Sequence, residues 1–203
     1  MFGNLHQDPL VLAALVPLFI ASITLHEFGH AAAALALGDT TARDAGRVTL
    51  NPLAHLDLFG TLFILLAGFG WAKPVPFDPS RLKSPRLGSF LVSAAGPATN
   101  FALALVALFA MKHLPSVSAG TQMWLQILFS LNLMLMVFNL LPIPPLDGGN
   151  LIEAVLPRSL APSFQRLLPY GVFILLLLVL LPGPYNPLRW LYALAARGMM
   201  ALV

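Results

Sequence analysis

From Pro9 to Leu37 only three side chains can carry a charge, and they fall together at His26, Glu27 and His30. The rest of the run is apolar, small or hydroxyl-bearing. A helix needs about 20 such residues to cross ~30 Å of hydrocarbon, and this run supplies more. It is too long for a signal-peptide core and no basic leader precedes it, so it reads as a retained membrane helix. Composition points the same way. Hydrophobic residues make up 58% of the chain and charged residues 9%, against about 25% charged in soluble domains. A globule so poor in charge could not keep its surface in water. Its natural solvent is the lipid bilayer.

The apolar pattern predicts an all-α polytopic membrane protein. About five transmembrane helices are expected, at 9–37, 88–111, 122–142, 168–181 and 187–203, the last one amphipathic through Arg189 and Arg197. A further stretch, 58–71, is short and carries Gly60, Gly68 and Gly70. All of this reads as one transmembrane domain over 1–203, with no repeat and no length left for a separate soluble domain.

The basic residues set the topology. Arg43 and Arg47 lie in 38–57; Lys73, Arg81, Lys83 and Arg86 in 72–87; Arg158 and Arg166 in 143–167. The 112–121 loop has only Lys112, and the N-terminal tail has none. The positive-inside bias places the three basic segments in the cytoplasm and the N-terminus outside. Both flanks of 58–71 are then cytoplasmic. That stretch is expected to enter the membrane and return, followed by extended strands or a hairpin, because Pro74, Pro76 and Pro79 forbid a long helix. Basic residues spread over loops make no nucleic-acid patch. The absence of cysteine excludes thiolate metal sites and disulfides.

His26-Glu27-Phe28-Gly29-His30 is an H-E-x-x-H motif. Residues four apart share a helix face, so both imidazoles can hold one ion, and Glu27 follows where its carboxylate can take a proton from water beside the metal. In a soluble helix the pattern is weak. Inside an apolar helix, ionisable groups are costly and read as functional. A zinc site needs a third protein ligand. Asp147 lies in Asn139-Leu-Leu-Pro-Ile-Pro-Pro-Leu-Asp147-Gly148-Gly149, just past the fourth apolar stretch. Asp-Gly is a common turn pair, so a surface turn is the plain alternative. The topology favours a ligand: helix 9–37 brings the histidines toward the cytoplasmic end, and two crossings later Asp147 returns to the same depth.

With these residues the chain resembles the site-2 protease family of intramembrane zinc metalloproteases. The match rests on H-E-F-G-H at 26–30, A-G-P-A-T-N at 95–100 and N-x-x-P-x-P-x-L-D-G at 139–148. It resembles the compact prokaryotic branch through N-P-x-x-H-x-D at 51–57 and G-W-A-K-P-V-P at 70–76. The resemblance implies one zinc ion per chain on His26, His30 and Asp147, with Glu27 as catalytic base. Asn139 would hold substrate or stabilise the oxyanion, and 58–86 would present a transmembrane protein or peptide substrate in extended form. Gly96, Pro97 and Asn100 are read as allowing close helix approach, a packing role. His55 and Asp57 stay open between orienting a ligand, an extra metal site and capping the element that starts at Leu58.

Two readings compete with a membrane protease whose active site faces the cytoplasmic side of the cell membrane. A metal-ion transporter would string ionisable groups along a pathway; this sequence has one tight cluster and a glutamate directly after the first histidine. A catalytically inactive scaffold has no use for the full set of four chemical residues. Substrate and oligomeric state are not encoded in any motif here.

Overall fold

The computed structural model describes residues 9–57, 60, 72–114, 116–157, 159–181 and 186–203. Helix α1 spans Pro9–Ala36, α2 Thr41–Asp44, α3 Pro85–His113, α4 Ala119–Asn139, α5 Asp147–Val155, α6 Ala161–Gln165, α7 Gly171–Leu180 and α8 Pro187–Met200. At 1.5 Å per residue, α1, α3 and α4 are about 42, 44 and 32 Å long, enough for ~30 Å of hydrocarbon. Four stretches are long and apolar enough to span: Ala13–Ala36, Pro85–His113, Ala119–Asn139 and Ala161–Leu180. The fourth is composite, joining α6, a 3₁₀ turn at Leu168–Tyr170 and α7.

The described residues therefore give four candidate spans where the sequence suggested about five. The difference is α8. Its 14 residues reach only about 21 Å, and its two arginines make it amphipathic rather than spanning. Among the described residues no strand forms either. The expected hairpin is represented by one antiparallel bridge, Leu56 to Ala72, reinforced by Lys73 N donating to His55 O at 2.8 Å. The re-entrant reading of 58–71 falls outside the described residues except Gly60. Its two flanks are neighbours, paired through the Leu56–Ala72 bridge.

Helix α3 is the hub, packing against α1, α4 and α5. Small residues make this close approach possible: a Cβ on Gly29 would lie 2.5 Å from Thr99 Oγ1 and 3.1 Å from Ala95 O. Ala104 of α3 and Leu133 of α4 join Tyr192 and Met199 of α8 in one apolar cluster. Leu141, Leu175 and Leu188 form another, which anchors α7 and α8 beside the end of α4. The outer face is as apolar as the inside. Val106, Phe109, Phe173 and Leu177 are all exposed, which suits a lipid solvent and would be a liability in water.

Local chemistry ends α1 where the site requires it. Gly38 adopts φ +104°, the left-handed conformation, and Asp39 N and Gly38 N close the helix by donating to Ala34 O and Leu35 O at 3.0 and 3.1 Å. The chain then turns back. Asp39 is fully buried and accepts hydrogen bonds from Thr41 N, Thr41 Oγ1 and Asp78 N at 2.9, 2.5 and 2.6 Å. Burial pushes its carboxyl up, but these donors outweigh that and hold it below the usual carboxylate range. Asp39 thus ties the 38–41 turn to the 78 loop. Arg86 closes the same side by donating to the carbonyls of Ala154 and Leu156 at the C-terminal end of α5. The three basic segments are therefore neighbours on one side.

Candidate metal centre

Helix α1 carries His26 and His30 one turn apart on the face toward α3. Both are buried, at 5% and 7% exposure, and so is Glu27 at 8%. Asp147 is the first residue of α5, where the positive end of the helix dipole favours a carboxylate. The stretch Leu140–Leu146 turns α4 back so that this helix start meets α1. Gly148 and Gly149 permit the turn by close approach. A Cβ on Gly148 would lie 2.5 Å from the Leu140 carbonyl, and one on Gly149 would lie 2.8 Å from Pro144 N.

Two ring nitrogens and both oxygens of one carboxylate converge. His26 Nε2 and His30 Nε2 are 3.1 Å apart, and each lies 3.2–3.3 Å from an oxygen of Asp147. A tetrahedral zinc ion with bonds near 2.0–2.1 Å would hold its ligands about 3.3 Å apart. The protonation pattern agrees. His30 Nδ1 lies 2.7 Å from Val92 O, and His26 Nδ1 lies 2.6 Å from Asn100 Oδ1. These oxygens accept, so each neutral ring carries its proton on Nδ1 and presents a bare Nε2 to the centre. Asp147 Oδ2 is buried without a hydrogen-bond donor. Two bare nitrogens and a carboxylate facing one another repel unless a cation lies between them, and carboxylate plus imidazole is a donor set suited to zinc.

Gly96 completes the cradle. A Cβ there would lie 2.6 Å from His26 Nε2 and closer still to His30 Nε2. Only a residue without a side chain leaves the centre open, as the close-approach reading of Gly96 expects. Among the described residues, His26, His30 and Asp147 are the one trio of potential ligands that gathers.

The other expected residues fall around this centre unequally. Asn139 ends α4, half-buried, with Nδ2 donating to Leu135 O at 3.0 Å within its own helix. His55 is fully buried and spends both ring nitrogens: Nε2 donates to Thr49 O at 2.9 Å, and Nδ1 faces Arg47 Nη2 at 3.4 Å. That excludes it as a metal ligand and makes it a loop lock. Asp57 accepts from Gly60 N at 2.8 Å, which is the capping role.

Two residues exceed their sequence reading. Asn100, read as packing, contacts His26 directly. Arg47, read as a topology signal, is buried and clamps the carbonyls of Pro74 and Lys73 at 2.9 and 2.5 Å. Burial lowers the Arg47 pKa while the nearby Glu27 charge raises it. A signal for Asn100 did exist, since an amide in an apolar helix needs a partner. Its partner was not readable.

With this geometry in view, comparison with known proteins is decisive. The model of peptidase family M50, the site-2 protease family, matches residues 14–117 and 110–180. The chain belongs to that family. Among its relatives is YwhC of Bacillus subtilis (strain 168), assigned as a zinc metalloprotease and 44% identical over 180 residues, covering 84% of this chain and 82% of the relative. Rip2 of Mycobacterium tuberculosis (strain ATCC 25618 / H37Rv), also assigned as a zinc metalloprotease, is 34% identical over 202 residues, 93% of this chain and 78% of its own. Zinc metalloprotease MJ0392 of Methanocaldococcus jannaschii is 28% identical over 156 residues, 77% of this chain and 38% of its own. No solved structure matches. The relatives' names specify zinc, and His26, His30 and Asp147 form a group that could hold a metal ion.

Proposed function

We propose that this protein is an intramembrane zinc metalloendopeptidase that hydrolyses peptide bonds of transmembrane protein or peptide substrates within or near the bilayer. One observation carries the reading: two imidazole nitrogens 3.1 Å apart, each 3.2–3.3 Å from a different oxygen of Asp147, converge inside a bundle of membrane-length helices, with a buried glutamate directly after the first histidine. The whole chain, 1–203, acts as one protease domain. The positive-inside bias of the basic segments supports a site toward the cytoplasm and an N-terminus outside.

His26, His30 and Asp147 would hold one zinc ion, which when bound supplies Lewis-acid polarisation of a carbonyl and acidification of water. Glu27 acts as general base: its carboxylate takes a proton from the attacking water and passes it to the leaving amide nitrogen. Asn139, at the end of α4, has one amide hydrogen beyond its bond to Leu135, which it would donate to the developing oxyanion. The loop clamped by Arg47 positions the extended segment from Ala72 onward, beside which an unwound substrate could pair.

The test uses purified full-length protein in lipid vesicles with a single-span substrate carrying a tag at each end. Wild type should yield two fragments, and Glu27→Gln should yield them roughly 10²–10⁴-fold more slowly while keeping its zinc. Equal cleavage by Glu27→Gln would overturn the base assignment. Loss of zinc by that variant would make Glu27 a ligand instead.

A further inference from the structure

A chain of buried amides runs from α4 to the metal centre. Asn132 of α4 is fully buried, as is Asn100 of α3. The direction of every hydrogen bond in the chain is fixed at its far end. Leu128 O can only accept, so the group 2.9 Å from it must be Nδ2 of Asn132. The same amide nitrogen lies 2.9 Å from Ser22 Oγ on α1. Asn132 therefore turns its Oδ1 to Asn100 and accepts from Asn100 Nδ2 at 2.8 Å. That leaves Asn100 only its Oδ1 to face His26, at 2.6 Å.

We infer that Asn100 and Asn132 are positioning residues for the metal. They act in series to keep the His26 proton on Nδ1 and its Nε2 bare and aimed at the centre. Asn100 holds the ring and Asn132 holds Asn100. Were Asn100 to flip, its NH₂ would face Nδ1, which could then pair only as a bare nitrogen. The ring proton would move to Nε2 and block ligation. His30 needs no such chain, because the Val92 carbonyl cannot flip. The two histidine ligands are thus oriented by different means, one by backbone and one by a side-chain relay joining all three long helices. The inference rests on the zinc assignment and reaches a residue, Asn132, that has no contact with a ligand among its hydrogen bonds.

The experiment measures zinc affinity of the full-length protein in detergent by competition with a chelator, alongside ¹⁵N resonances of the metal-free histidines. Asn100→Leu preserves volume and removes the acceptor; affinity should fall roughly 10–100-fold, the range for outer partners of metal-binding histidines. Asn100→Asp restores an acceptor oxygen and should bind zinc far better than Asn100→Leu. Asn132→Leu should weaken binding less than Asn100→Leu and should convert the His26 resonances from the pure Nδ1–H form to a mixture. A packing role predicts the reverse order, with leucine tolerated and aspartate damaging. Wild-type affinity in Asn100→Leu, or an unchanged His26 tautomer in Asn132→Leu with folded helices, overturns the inference. Failure of the wild type itself to bind zinc would overturn the proposed function instead.

Discussion

Replacing Gly96 with alanine adds one methyl group where α3 backs onto both imidazoles. The new Cβ would stand 2.6 Å from both Cε1 and Nε2 of His26, and closer to Nε2 of His30. Neither helix can yield easily, since α1 is pinned to α3 by the tight Gly29–Thr99 contact. The imidazoles must therefore retreat by about 1 Å to reach ordinary van der Waals separation. Metal sites tolerate only about 0.2 Å in ligand distance. At least one ligand bond is lost, so zinc affinity should fall by more than the roughly 100-fold typical of an outer-partner mutation. Helix propensity offsets part of this overpacking: glycine inside a helix is destabilising by about 0.5–1 kcal/mol relative to alanine, against roughly 1–3 kcal/mol for an overpacked site. Gly96→Ala should thus keep its helix content, with at most a modest fall in metal-free melting temperature, while losing zinc on dialysis. Chelator competition and circular dichroism in detergent read the two effects separately. Full zinc affinity in Gly96→Ala would mean that the imidazoles do not point at Gly96, and the geometry of the centre would be wrong.

Other substitutions test other links. Glu27→Gln should retain zinc and slow cleavage by roughly 10²–10⁴-fold, the usual weight of a general base, in the vesicle assay. Gly148→Ala places a Cβ against the Leu140 and Leu141 carbonyls, so it should move the start of α5, carry Asp147 off the centre and reduce zinc content measured by elemental analysis. Asp39→Asn removes charge from a buried acceptor of three hydrogen bonds and should cost about 1.5–3 kcal/mol in unfolding experiments. Its pH dependence has a definite sign. The folded carboxyl of Asp39 lies below 3.8, so its contribution is fully present above that value and is lost as pH falls through the lowered one. Wild type and Asp39→Asn should differ most near neutrality and converge in acid; a constant gap down to strongly acidic pH would refute the role.

The parts legible in sequence share a physical reason. His26, Glu27 and His30 are local: one helix and a spacing of four settle which face they share. Asp147 required the fold, because its place depends on a turn through three prolines and two close-packed glycines, yet the depth of the helix ends already brought it near. Residues whose role depends on a distant partner could not be read. Asn100 looks like a small polar residue in a packed helix until Asn132 and His26 meet it from two other helices. Arg47 looks like one more basic loop residue until the Lys73 and Pro74 carbonyls close around it. At the amphipathic end of the chain length decides: 187–203 reads as a helix, and the described helix Pro187–Met200, about 21 Å long, falls short of a span.

The most direct test of the metal centre is zinc X-ray absorption on the purified protein, run beside Asp147→Ala. The wild type should hold one zinc per chain with two nitrogen ligands near 2.0–2.1 Å and oxygen ligands near 2.0–2.2 Å. Asp147→Ala should lose the metal. A wild-type spectrum with fewer than two histidine ligands, or full zinc occupancy in Asp147→Ala, would contradict the assignment of His26, His30 and Asp147.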